Sequence, residues 1–301
     1  MTEPRLGASE FQRLLGQSRR TVFWALDEGP GPWELEPGEA PASGADWFFM
    51  VSFQRTGSSV AALILNRHAD VYCGQEHLIL PLFMTVLHSR LLIAPDLWFS
   101  VRYLKKIPVT PTNVRELMDA WRRCVSDKRI FGDKGEMYHQ HFGGACTAVF
   151  PGCKFVLTVR HPLDTLSSYI QQPWAAYMRT DGNHEAFLES MRARAREMLA
   201  GNAAWRHRAE VIEFERLDSE AEFRSTFSRV FTYLGADPTG YDWDGGWALC
   251  QHRLAFGRWE RDAEVLEFMD WLKTRDEQLH RLLASGAYYL DDDLGEEPGG
   301  S

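Results

Sequence analysis

The chain has 301 residues, of which 45% are hydrophobic and 13% aromatic, enough apolar side chain for one large domain near the upper size of a single core. Its formal net charge of −9 argues against broad, sequence-independent binding to nucleic acid, which draws on neutralising many phosphates with Lys and Arg. Any polyanion site must be a local pocket.

Residues 1–45 combine a short helical pattern (Phe11, Leu14, Leu15) with the run GPGPWELEPGEAPASG, which reads as a leader wrapping the domain. The opening MTEPRLGASEFQRLLGQ lacks the basic region, apolar core and cleavage site of a secretory signal. The folded domain is expected over 46–290. Its apolar stretch from Leu78 to Ala94 is interrupted by His88, Ser89 and Arg90, too short and too polar for a membrane span. Residues 291–301, DDDLGEEPGGS, are expected to form a disordered tail. Cys73, Cys124, Cys146, Cys153 and Cys250 are odd in number and show no CxxC spacing, so they read as reduced thiols of a cytoplasmic protein.

Strands are predicted at WFFMVSF (47–53), KFVLTV (154–159) and EVIEF (210–214), with helices starting near Ser58, His77, Asn113, Pro162, Glu185, Ser219 and Asp262. This alternation predicts an α/β fold in three layers: a mainly parallel central sheet with helices on both faces.

Two strand–turn–helix units carry the chemistry. The first is WFFMVSF-QRTGSS-VAALILNRH. A helix N-terminus attracts anions because its first amides lack intrahelical partners. Gly57 allows close backbone approach, Ser58 and Ser59 offer hydroxyls, and Arg55 supplies charge. No GxxxxGK[ST] is present, so the arrangement that holds a nucleoside triphosphate with magnesium is missing. The second unit is KFVLTV-RHPLDTLSSYI. There Arg160 leaves the C-terminal end of a strand, the edge where open α/β sheets bind ligands, and Ser168 follows eight residues later. Asp164 is placed to brace the helix start or Arg160. An arginine stands where a P-loop NTPase would place a magnesium-holding acid.

QRTGSS followed by RHPLDTLSS resembles the paired donor-binding motifs of the sulfotransferases: a 5′-phosphosulfate loop, then an R-x₇-S element for a 3′-phosphate. Gln54 departs from the usual proline. LILNRHADVYCGQEHLILP is similar to a segment of tyrosylprotein and related bacterial sulfotransferases, where Glu76 matches the catalytic base. FGDKGEMY (131–138) resembles the run that supplies an active-site lysine, here Lys134, with Gly135 and Glu136 in place of the usual hydroxyl and proline. VIEFERLDSEAEFRSTFSRVFTYLGAD resembles the YEDL segment and the helix after it, with Phe214 replacing tyrosine. FGRWERDA (256–263) resembles the GRW element.

The resemblance spans about 46–265 and implies a sulfotransferase with a P-loop-like fold, using 3′-phosphoadenosine 5′-phosphosulfate (PAPS) as co-substrate and requiring no metal. It places Arg55, Thr56, Gly57, Ser58, Ser59 and Lys134 on the phosphosulfate. Arg160, Ser168, Phe214, Gly257 and Arg258 fall on the rest of the nucleotide. Glu76, Arg55 and Lys134 become the catalytic set. The acceptor would carry a hydroxyl, as a small molecule, sugar or tyrosine; homodimerisation stays open.

Rival readings stand beside this one. Glu76 can instead cap the helix starting near His77, and Glu136 or His139 can replace it as base. His139 and His141 flank Gln140 but lack an acidic or cysteine partner at ligand spacing, so no metal site is expected. Arg192, Arg194, Arg196, Arg206 and Arg208 read as a solvated face. A kinase-like phosphotransferase using ATP is the rival enzyme, and a catalytically inactive nucleotide-binding protein is the rival outside enzymology.

Overall fold

The computed structural model describes residues 35, 38–39, 43–75, 80, 110–135, 138–139, 143–173, 175, 183–253 and 256–290. Five parallel strands form one sheet in the order β2-β3-β1-β4-β5, with β1 Trp47–Met50, β2 Val71–Gln75, β3 Ile130–Lys134, β4 Lys154–Val159 and β5 Glu210–Glu213. All four residues of β1 are buried, as expected where helices cover both faces of a parallel sheet.

The two-residue alternation of a strand divides the core. Trp47 and Phe49 face one side, against Val114, Met118 and Trp121 of α2 (Pro111–Val125) and Cys146 and Val149 of α3 (Gly143–Val149). Phe48 and Met50 face the other, against Ala61, Ala62, Ile64 and Leu65 of α1 (Ser58–Asn66) and the Phe223, Phe227, Phe231 stripe of α6 (Glu220–Leu234). That stripe repeats every four residues, the spacing that lines one helix face. The α/β architecture expected from the sequence is therefore the one observed. A third cluster gathers Phe53 with α4 (Pro162–Ile170), α5 (His184–Trp205), α8 (Ala263–Arg275) and α9 (Glu277–Ala284); α7 is Trp243–Arg253.

Helix starts follow local chemistry. Thr110, Asn183 and Ser219 each accept an amide three residues on at 3.3 Å, the capping contact that satisfies a first-turn donor. The start expected near His77 and the tail 291–301 lie outside the described residues. Of the leader, Leu35 packs on the core and the Glu39 carbonyl accepts the Thr112 hydroxyl at 2.9 Å.

Three expectations are corrected. The first predicted strand, 47–53, ends at Met50; Val51 adds one bond to the Val156 carbonyl at 2.9 Å, after which the chain lifts into the loop. Strands β2 and β3 were not foreseen, because VYCGQ and IFGDK carry glycine and polar residues. In β3 the glycine is required: a Cβ on Gly132 would lie 2.3 Å from the Phe48 ring. The basic stretch along α5 and just beyond its end is not simply solvated. Arg194 pairs with Glu197 at 2.6 Å and lies over Tyr169. Arg196 holds the nearly buried Asp276 at 2.7 Å, and Arg208 stacks on Trp205. No helix among the described residues is long and apolar enough to cross a membrane.

Candidate active site

Because the strands are parallel, their C-terminal ends share one edge of the sheet, where ligands bind in this class of fold. The first loop rises from the central strand β1 at that edge and is anchored from below. Thr56 is fully buried; its hydroxyl donates to the Phe53 carbonyl at 2.8 Å and lies 2.9 Å from the Thr158 hydroxyl of β4. The Thr56 side chain is thus spent on shaping the loop. Arg55 takes a left-handed backbone, φ 67°, at a cost of roughly 1–2 kcal/mol for an L residue. Gly57 follows at φ 90° as the cap of α1, and the Phe214 ring lies directly beneath it, 2.3 Å from where a Cβ would stand. Ser58 and Ser59 open α1, so their amides lack intrahelical acceptors.

Lys134 enters from the end of β3. It is 5% exposed, and its Nζ donates to Ser59 Oγ at 2.9 Å. Its neighbour Asp133, fully buried, accepts the Tyr138 hydroxyl at 2.7 Å. Burial, with the Asp133 charge adding to it, holds the Tyr138 phenol well above its ordinary range.

On the other side of the loop three guanidiniums converge. Arg55 Nε donates to Ser168 Oγ on α4 at 3.1 Å, and Arg160 Nη1 lies 3.5 Å from the Arg55 carbonyl. Burial lowers the pKa of Arg160, and the like charges of Arg258 and Arg55 lower it further against the opposing pull of Asp164 and Glu215. Such clustering of like charge is a feature of functional sites. Arg258 is carried by a short 3₁₀ turn, Arg258–Arg261, entered through Gly257 at φ 65°. Asp164 holds that turn: its carboxylate accepts the amides of Gly257 at 2.9 Å, Arg258 at 2.7 Å and Trp259 at 3.3 Å, and lies 3.7 Å from Arg160 Nη2. Glu215 accepts the His161 amide at 2.7 Å through one oxygen and the Tyr288 hydroxyl at 2.9 Å through the other.

A depression of about 710 Å³ at the opposite edge of the sheet is also lined with cations, most of them engaged by neighbouring groups. Arg122 binds Asp46 and the Arg129 carbonyl, Arg129 binds Asp70, and the Lys128 ammonium donates to the carbonyls of Asn66, His68 and Val71.

Of the three candidate bases, Glu76 and Glu136 lie outside the described residues. His139 is 5% exposed, its Nε2 lies 3.2 Å from Asn202 Oδ1, and its ring meets Phe53 edge-on. Burial pushes its pKa down to about 4. A buried imidazole that basic only in acid is poorly suited to take a proton at neutral pH.

A family model for sulfotransferases matches residues 48–239, more than half of the chain and including both the QRTGSS and RHPLDTLSS segments, Lys134 and Phe214. The chain belongs to the sulfotransferase family. Among solved structures this sulfotransferase is similar to the sulfotransferase domain of the Synechococcus PCC 7002 olefin synthase, at 17% identity and TM-score 0.45, covering 79% of this chain and 98% of that one. The sulfotransferase domain from the curacin biosynthetic pathway is 15% identical, with TM-score 0.47 and coverage of 85% and 99%. A mouse sulfotransferase complexed with PAP is 14% identical, with TM-score 0.43 and coverage of 90% and 95%. A comparison with curated proteins finds no match.

The structure brings Arg55, Gly57, Ser59, Lys134, Arg160, Ser168, Phe214 and Arg258 of the sulfotransferase to one edge of the sheet. It adds three residues that the sequence reading passed over: Thr158, which anchors Thr56, Glu215, and Tyr288. Glu215 follows Phe214 in the FERL run and was open to suspicion on that ground; Thr158 and Tyr288 gave no local signal.

Proposed function

We propose that this sulfotransferase moves a sulfuryl group from PAPS to a hydroxyl acceptor, releasing a sulfate ester and 3′-phosphoadenosine 5′-phosphate. The observation that carries the reading is the convergence of Arg55, Arg160 and Arg258 beside the loop of α1, with Lys134 and Ser59 on its other flank. Arg55 and Lys134 on the loop, with Arg160 and Arg258 beside it, suit a donor with anionic centres at both its 5′ and 3′ positions. The chemistry of these donors, guanidinium, ammonium, hydroxyl and amide, fits sulfate and phosphate oxygens without a metal.

Arg55, Lys134 and the amides of Gly57 to Ser59 hold the 5′-phosphosulfate. Arg160, Ser168 and Arg258 hold the 3′-phosphate, with Gly57 and Phe214 setting the height of the loop between them. In the transfer, an acceptor oxygen bonds to sulfur while the bond from sulfur to the bridging phosphate oxygen breaks. Glu76 takes the acceptor proton, and Lys134 offsets charge growing on the departing oxygen. The acceptor is a small molecule, a sugar or a tyrosine.

The experiment is incubation of the purified chain with sulfur-labelled PAPS and a panel of phenols, sugars and tyrosine peptides, with mass detection of an added sulfate. Transfer to a hydroxyl compound is expected; phosphate transfer from ATP with none from PAPS would overturn the reading.

A further inference from the structure

Asp164 sits on α4, four residues after Arg160, and its side chain is 2% exposed. It is nevertheless heavily engaged, with three consecutive backbone amides from residues 257–259 and the Arg160 guanidinium around it. The turn it grips answers in kind. Asp262, at the turn's end, accepts the Ser167 hydroxyl of α4 at 2.6 Å and the side-chain amide of Gln171, which caps α4, at 3.0 Å. The helix and the turn are therefore clasped twice, by acids pointing in opposite directions. Only the Asp164 half touches the cations: it orients Arg160 directly and fixes the backbone on which Arg258 stands.

We propose that Asp164 is a positioning residue for the 3′-phosphate, locking Arg160 and Arg258 into one clamp. This rests on the donor assignment made above. Coulomb attraction by itself argues for the opposite outcome. A carboxylate beside an anion site repels the anion, so removing its charge should tighten binding of a 3′-phosphate if Asp164 had no geometric role. The two accounts differ in sign.

The test is calorimetric binding of 3′-phosphoadenosine 5′-phosphate and of AMP, which differ by the 3′-phosphate alone, to wild type, Asp164→Asn and Asp164→Glu, all below the lowest melting point. Asn keeps the shape and loses the charge; Glu keeps the charge and moves the carboxylate. The affinity ratio of the two ligands should fall about tenfold in both variants, the loss of one charge-assisted contact. A general loss of folded protein would weaken both ligands equally and leave the ratio alone. In turnover with PAPS, donor KM should rise by more than kcat falls. Ser167→Ala, which opens the other half of the clasp, should lower the melting temperature without moving the ratio. A wild type that fails to distinguish the two ligands would sink the donor assignment. A discriminating wild type whose Asp164 variants keep or raise the ratio, or whose Ser167→Ala variant loses it equally, would refute the role of Asp164.

Discussion

Replacing Gly57 by alanine tests how the anion loop is built. The residue is at φ 90°, and its Cβ would stand 2.3–2.6 Å from three atoms of the Phe214 ring. A left-handed L residue costs roughly 1–2 kcal/mol, and forcing a methyl into a packed contact costs about 1–3 kcal/mol. A loss of about 3 kcal/mol corresponds to about 6–12 °C in melting temperature for a domain of this size. Phe214 cannot move away freely, because it is 3% exposed and packed among the side chains under α1 and α6. Pairing Gly57→Ala with Phe214→Leu should recover about 1 kcal/mol relative to the sum of the two single changes, since the smaller side chain relieves the clash and leaves the backbone penalty. Differential scanning calorimetry of the four proteins gives the cycle. A Gly57→Ala protein melting within about 2 °C of wild type would refute both the close approach and the strained loop derived from it.

Lys134→Met should lower kcat by about 10²-fold or more through lost stabilisation of the departing oxygen, measured under saturating PAPS. Glu76→Gln should leave donor affinity and melting nearly unchanged while lowering turnover by about 10²-fold; a loss of stability with turnover intact would mark Glu76 as a helix cap. His139 sets a pH dependence of stability. Its folded pKa of about 4 lies below its ordinary 6.5, so the unfolded chain binds the extra proton between those values. Its contribution is complete above pH 6.5 and lost as pH falls through 4, on the order of 3 kcal/mol. Denaturant titrations from pH 7 to 4 should show a shallower acid slope in His139→Gln, and equal slopes would contradict this.

Strands β1, β4 and β5 were legible because their apolar runs are bounded by turn residues, and Arg160 and Ser168 were legible as an arginine and a serine on one strand–turn–helix unit. Strand β3 was hidden, since a buried strand holding Asp133 and Lys134 makes sense only once Tyr138 and Ser59 stand against them. The bracing of Arg160 by Asp164 could be read from a four-residue spacing. Its grip on residues 257–259 could not, because 93 to 95 residues separate the partners. The packing of Phe214 under Gly57 was likewise out of reach, because 157 residues separate the two in the chain.

The central claim is that the cations gathered at this edge of the sheet recognise a nucleotide bearing a 3′-phosphate. Calorimetry of the wild-type chain with 3′-phosphoadenosine 5′-phosphate in a chelating buffer, set against ATP with magnesium, tests it most directly. The account predicts binding of the 3′-phosphorylated nucleotide without metal, at least about tenfold tighter than ATP with magnesium, the worth of one charge-assisted contact. Equal or tighter binding of ATP with magnesium would contradict it.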